Sequence, residues 1–380
     1  MKTVGIICEY NPLHLGHKKQ LDTVRAAGNR VVCIMSGNYV QRGKPAIIDK
    51  TLRAKAAVLA GADLVLELPV TAALSSAEGF ASEGVRLLAP ICDGLCFGAE
   101  NTDGLMTVAQ ALLSEQFPSA LRKELDRGLS FPAARQAALE AMGIDGSILT
   151  KPNNILGIEY CKAILSQGLH MEPIPIHRLG SYHDETPDAE NPSATAVRQQ
   201  MYAQKDWRSF LPDCAADLFA GAALHSLKAG ERSVLCKLRS MTDAEFEVLP
   251  YGSEGLWRKL MHASRSCATL EEIAEAVKSK RYTRSRIDRM ILCALLGLTA
   301  EDLSSPAPYA RVLAFNDTGR ELLNSARQQG IYPNVGEKLE HPYQQIEDQT
   351  DALYGLFAHG APEAPLRKSR VSYIPSTKKG

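Results

Sequence analysis

A chain of 380 residues with 45% hydrophobic content can bury more than one core, so a single small domain is excluded. Its 43 Lys and Arg balance 43 Asp and Glu, which leaves no global basic field for nucleic acid; any basic surface must be local. No stretch reaches the roughly 18 uninterrupted apolar residues of a membrane span, and "MKTVGIICEYNP" lacks the apolar length and cleavage site of a secretion signal, so a soluble, cytoplasmic protein without a membrane partner is expected.

In chain order, "TVGIIC" (3–8), "RVVCIM" (30–35), "DLVLEL" (63–68) and "GLCFG" (94–98) are short β-branched or apolar runs that predict strands. Helix-length segments at 15–27, 49–61 and 76–89 separate them. Successive βα units predict an α/β fold, a doubly wound parallel sheet with helices on both faces. From 105 to 167 the pattern is mostly helical; "FPSALRKELDRG" and "FPAARQAALEAMG" both open on Pro near the first turn and close on Gly. A last strand, "MEPIPIHRL" (171–179), carries two prolines that place it at an edge. This first domain is expected to span residues 1–204. Residues 205–362 read as a mainly helical region in which "EEIAEAVKSKRYTRSRIDRMILCALLG" (271–297) is the clearest helix and "YARVLAFNDTGRELLNSARQQG" a small α/β piece. The remainder, 363–380, with Arg367, Lys368, Arg370, Lys378 and Lys379, reads as a mobile basic arm. Nine scattered cysteines in runs such as "VVCIM" suit reduced core thiols. The close pair Cys92 and Cys96 has no second pair or His partner, so no metal site is expected.

The loop "EYNPLHLGH" follows the first strand and precedes a helix, which delivers it to the carboxyl edge of the sheet where doubly wound folds bind ligands. The helix start favours phosphate through its free N–H groups and dipole. Gly16 removes a Cβ where a ligand ring could press on the backbone. His14 and His17 can each give an N–H to phosphate oxygens and stabilise charge developing at the α-phosphate of a nucleotide. Metal ligation and plain helix capping remain alternatives, with Glu9 as the nearest further ligand. The long polar loop "SGNYVQRGKPAIID" overhangs the same edge, so it could close on substrate, with Lys44 the candidate phosphate contact.

"NPLHLGH" resembles the HxGH signature of the nucleotidylyltransferase superfamily, and "NPSATAVRQQM", through Ser193, Thr195 and Arg198, resembles its second signature. Together with "SGNYVQRGKPAIIDK", "FGAE", "KPNNILGIEY", "HRLGSYHDE" and "KRYTRSRIDRMIL", the chain resembles the bacterial tRNA(Met) cytidine acetate ligase family over most of its length. That resemblance implies an enzyme that activates acetate with ATP as acetyl-adenylate. It then acetylates the wobble cytidine of elongator tRNA(Met) to N4-acetylcytidine. It also implies an ATP site made of Ile7, Cys8, Glu9, Tyr10, Asn11, Pro12, Leu13, His14, Leu15, Gly16, His17, Lys18, Lys19 and Gln20, completed by Gly98, Asn153 (with Asn154 its rival), Arg178, Ser193, Thr195 and Arg198. His14 and His17 would be the catalytic pair. ATP normally arrives with Mg²⁺, yet no carboxylate is evidently placed to bind the ion. Read without the resemblance, Gly98 also suits a plain turn, Asn153 a helix cap and Arg178 a solvated charge.

An enzyme that acylates an anticodon base must hold RNA. Between Lys278 and Arg289 six cations face one acid, Asp288, and Lys280, Arg281, Arg284 and Arg286 are the expected phosphate contacts, with Ile287, Met290, Ile291 and Leu295 turned inward. Glu9 and His183 are both candidates for a general base, and nothing in the sequence selects between them. A rival reading is a cofactor-synthesising nucleotidylyltransferase that moves AMP onto a small phosphorylated acceptor. It leaves the C-terminal half without a purpose. A regulatory RNA-binding protein is a second rival, and it would not need both histidines.

Overall fold

The structure, a computed structural model, describes residues 1–178, 192–279, 282–326, 330–333, 341–360 and 371–376. Nine strands are present among them: β1 (Thr3–Cys8), β2 (Arg30–Ser36), β3 (Tyr39–Val40), β4 (Lys44–Pro45), β5 (Leu64–Leu68), β6 (Gly94–Ala99), β7 (Glu172–His177), β8 (Val312–Phe315) and β9 (Ser372–Tyr373). Seven form one sheet in the order β7-β6-β1-β2-β5-β8-β9, and β3 pairs only with β4. The first five are mutually parallel, with β1 in register with β2 from Thr3 opposite Arg30 to Cys8 opposite Met35. Every residue of β1 is buried, as its apolar run requires of a strand covered on both faces. Separate apolar cores lie on the two faces, one around Val32, Leu66 and Ile158 and one around Val31, Cys33 and Val65. Alternation along β2 sends Val32 and Cys33 to opposite sides.

The doubly wound parallel sheet expected from the sequence is therefore present. From β1 the chain steps to β2 and β5 on one side, then returns to place β6 and β7 on the other, so the switch point lies between β1 and β6. β7 pairs only with β6, which puts Pro173 and Pro175 on an edge strand, where a missing N–H is tolerated.

The C-terminal half departs from expectation. The small α/β piece does not stand apart: β8 pairs antiparallel with β5, Val65 opposite Ala314, and extends the first sheet. The mobile basic arm is not one throughout, because Ser372 and Tyr373 lie parallel to β8 as β9; Arg367, Lys368, Arg370, Lys378 and Lys379 lie outside the described residues. A boundary near residue 204 thus does not divide the sheet. Buried charge ties the halves as well: Lys50 Nζ is 2.7 Å from Glu67 and 2.6 Å from Asp351 of the helix Pro342–Tyr354. Arg311 bridges the same two acids at 3.2 and 3.0 Å. Ions removed from water must be paired, so each half supplies counter-charge to the other.

Candidate nucleotide site

The loop after β1 enters the helix Leu15–Ala26 through His14, whose extended backbone (φ −129°, ψ 173°) makes it the N-cap. His14 Nδ1 accepts the Gly16 N–H at 3.1 Å, and His17 Nδ1 accepts the His14 N–H at 3.4 Å. The two imidazoles stack with centroids 3.7 Å apart, and Tyr10 lies 5.0 Å from His17. Because each Nδ1 is an acceptor, the proton of each neutral ring sits on Nε2. His14 Nε2 is buried and has no hydrogen-bond partner among the described residues. A buried donor of this kind is costly unless an acceptor comes to it, and a phosphate oxygen fits.

Three sequence expectations change here. The first-turn amides do not await an anion: His17 and Lys18 N–H bond to the His14 carbonyl at 2.9 and 3.0 Å, and Gly16 N–H to its ring. Those three amides are already spent, whereas the buried His14 Nε2 has no partner among the described residues. Gly16 makes room for His14 itself, since a Cβ there would lie 3.0 Å from the ring. Capping, set against phosphate donation above, does not exclude it, because it uses only Nδ1 of the His14 ring.

The second motif meets the first. Arg198, on the helix Ala194–Tyr202 capped by Ser193, donates to the Asn11 carbonyl at 2.7 Å and to Thr195 Oγ1 at 3.0 Å. The Pro192 carbonyl is 4.0 Å from where a Gly16 Cβ would be. Arg178, just past β7, donates a long 3.4 Å bond to Asn153 Oδ1. Asn153 is not the cap of the helix Pro152–Ser166, a position held by Lys151; its amide binds Glu100 at 2.8 Å. Asn154 is fully buried and spent on Asn101 and Ile148, which disfavours it as the ligand residue.

Other expected contacts resolve differently. Ile7, Cys8, Tyr10 and Leu13 are core side chains, so only their backbone can face a nucleotide. Pro12 is buried and Leu15 half-buried. Lys18 pairs with Asp22, the Lys19 carbonyl accepts from Thr23 at 2.8 Å, and Gln20 reaches the Cys96 carbonyl at 3.3 Å. Gly98 leaves no special gap, because a Cβ there would meet Arg178 Cδ at an ordinary 3.7 Å. The polar loop is no free lid either. Its β3–β4 tip presses on the helix Arg284–Leu296, where a Gly43 Cβ would come 2.3 Å from the Arg289 N. The Lys44 charge acts on the carboxyls of Glu271 and Asp288. Among the described residues no group of three His, Cys, Asp or Glu could hold a metal, and His183 lies outside them.

Of the expected RNA-contact run, the described cations are engaged within the fold. Arg284 is clasped by Glu271 at 2.6 Å and Asp288 at 2.8 Å, and Lys278 by Glu275 at 3.2 Å. Arg286 is spent on the Tyr251 carbonyl at 2.8 Å, and Lys280 and Arg281 lie outside the described residues. The reason is non-local, since Glu271 and Glu275 stand on the preceding helix. The apolar face was read correctly, with Ile287, Met290, Ile291 and Leu295 all buried.

One positioning residue escaped the sequence reading. Arg53 is fully buried and donates to the carbonyls of Glu9 (2.6 Å), Ser36 (3.1 Å), Ile48 (2.8 Å) and Gly37, tying the ends of β1 and β2 together. Glu9 in turn accepts the Gln41 N–H at 2.8 Å. A signal existed: Lys50, Arg53, Ala54 and Ala57 fall on one i, i+3, i+4, i+7 stripe of the helix Lys50–Leu59, and all are buried.

Electrostatics agree with convergence. Burial, with the His17, Arg178 and Arg198 charges behind it, holds His14 well below the usual histidine range. Burial and Arg178 lower His17 to about 3. Both rings stay neutral near pH 7 and keep Nδ1 as an acceptor. Their folded pKa values lie below the unfolded ones, so this stability is present above about pH 6.5 and lost on acidification, by about 1.4 kcal/mol per pH unit for each ring. Denaturant unfolding between about pH 7 and pH 5 is expected to show a steeper loss for the native chain than for His17→Asn. Equal slopes would contradict it.

The HIGH Nucleotidyl Transferase family model matches residues 1–365. The tRNA(Met) cytidine acetate ligase of Acetivibrio thermocellus is 37% identical over 366 residues, covering 88% of each chain, and that of Syntrophomonas wolfei is 36% identical over 99% of this chain and 100% of its own. Crystal structures of Thermotoga maritima TmcAL superpose with TM-scores of 0.90 (apo, form I; 99% of this chain and 100% of that one) and 0.86 (with alpha-thio ATP, form II; 98% and 100%), each at 28% identity. On the matched motifs, the fold and these relatives, the chain belongs to the tRNA(Met) cytidine acetate ligase family of HIGH nucleotidyl transferases.

Proposed function

We propose that this chain is an ATP-dependent ligase that activates acetate as acetyl-adenylate and acetylates the wobble cytidine of elongator tRNA(Met), in the cytoplasm. The observation that carries the reading is the convergence of His14, His17, Arg178 and Arg198 at the switch point of the sheet, with His14 Nε2 buried and without an acceptor among the described residues. An acetate oxygen attacks the α-phosphorus, and the bond to pyrophosphate breaks. The Nε2 protons and the two guanidiniums stabilise the charge that gathers on the phosphoryl oxygens. The cytidine amine then attacks the acetyl carbon, AMP leaves, and the amine releases a proton. Glu9 is half-buried at the start of this loop, and desolvation raises its carboxyl pKa. It holds Gln41, which makes it a positioning group. Magnesium would ride on the phosphates of ATP, and no step here is assigned to it.

Incubation with ATP, labelled acetate and tRNA(Met), followed by nucleoside digestion, is expected to yield ATP-dependent label in N4-acetylcytidine. Unlabelled RNA together with transfer of AMP onto a small phosphate ester and release of pyrophosphate would replace this reading with the cofactor enzyme.

A further inference from the structure

We propose that the exposed face of the helix Leu256–Ser266, flanked by Trp257, is the surface that grips the phosphate backbone of the RNA; this rests on the reading of the chain as a tRNA ligase. Residues 255–270, "GLWRKLMHASRSCATL", contain no Asp or Glu. With 3.6 residues per turn, Arg258, His262 and Arg265 fall in a stripe about 60° wide, and Lys259 lies beside it. Leu256, Leu260, Met261, Ala263 and Ser264 are buried on the opposite side.

Most of the charge of this face has no acidic partner among the described residues, unlike that of Lys278 and Arg284. Arg265 pairs with Asp243 at 2.7 Å, whereas Arg258, Lys259 and His262 have no acidic partner among the described residues. Their contacts are aromatic: Arg258 lies 4.8 Å from the Trp257 ring, and Lys259 (5.5 Å) and Arg286 (5.3 Å) converge on Tyr282. Glu254, whose carbonyl accepts the Tyr282 hydroxyl at 2.9 Å, is the one acid in the preceding turn. Cations interleaved with a partly exposed indole suit phosphates with a stacked base.

The surface also connects to the nucleotide site. Arg286 donates to the Tyr251 carbonyl at 2.8 Å, Arg289 lies 4.8 Å from the Tyr251 ring and donates to the Gln41 carbonyl at 3.2 Å, and Gln41 N–H binds Glu9 at 2.8 Å. A short chain of direct contacts therefore runs from the aromatic and cationic face to the HxGH loop. An RNA held on this face has its backbone anchored next to the place where a flipped cytidine must enter.

The test is filter binding of tRNA(Met) across a salt series to the native chain and to Arg258→Ala/Lys259→Ala/His262→Ala. Binding is expected to weaken at least about tenfold, and the slope of log K against log salt to fall by about 2, one for each lost cation. The exchange Arg258→Lys/Lys259→Arg, which keeps charge, is expected to retain most of the affinity, and Arg284→Ala, whose charge Glu271 already balances, to change it less than about twofold. If the triple variant fails to fold by its melting curve, the single changes Arg258→Ala and Lys259→Ala are read in its place, each expected to weaken binding about threefold or more. A folded variant with unchanged affinity and slope overturns the surface while leaving the ligase reading intact. A native chain that binds tRNA through these residues yet never acetylates it overturns the ligase reading and leaves the surface. A native chain that does not bind tRNA overturns both.

Discussion

Replacing His17 with Asn is expected to lower acetate-dependent exchange of pyrophosphate into ATP by about 10²–10³-fold, with little change in melting temperature. The ring is held neutral by burial and by Arg178, its Nδ1 is fixed on the His14 N–H, and its remaining proton sits on Nε2. A donor set in place before reaction stabilises developing charge without reorganisation, so its loss falls on the activation step. His14→Asn is expected to behave alike: Asn is a good N-cap and can still accept the Gly16 N–H, so the helix start survives while the buried Nε2 donor is lost. Exchange at native rates in either variant would remove the histidines from the chemistry.

The second large effect concerns the scaffold. Arg53→Met is expected to destabilise the fold by about 3–5 kcal/mol, because four buried carbonyls lose a charged donor at once. The Glu9 and Gly37 carbonyls stand at the exits of β1 and β2, so activation should fall together with stability, unlike in the histidine variants. Arg53→Lys keeps the charge but cannot span four acceptors, and partial recovery is expected. Chemical denaturation measures both; a loss below about 1 kcal/mol for the Met variant would show that the loop is held by other contacts.

What the sequence made legible follows from the range of the forces involved. β1 was read to its exact ends because six consecutive buried positions leave a local signature, and the helix Leu15–Ala26 ended within one residue of expectation. Strand β8 was visible as an apolar run, but its pairing with β5, some 250 positions earlier in the chain, was not. Two-residue β9 carries no periodicity at all. The same distinction governs the site. His14, His17 and Arg198 stand out in the sequence because motif spacing is local, whereas the meeting of Arg198 with Asn11 is a tertiary fact. That Arg284 carries a balancing acid was not legible, because Glu271 lies one helix away. Gly16 was assigned to a ligand because sequence does not show that a neighbouring imidazole folds back over it.

The central claim is that acetate attacks the α-phosphate of ATP in the crevice formed by His14, His17, Arg178 and Arg198. The most direct measurement uses acetate labelled with oxygen-18 at both carboxylate positions, with mass spectrometry of the AMP and of the digested tRNA. Attack at the α-phosphate predicts one labelled oxygen retained in AMP and the other in N4-acetylcytidine. ADP in place of AMP, with the oxygen-18 recovered in inorganic phosphate, would show activation at the γ-phosphate and contradict it.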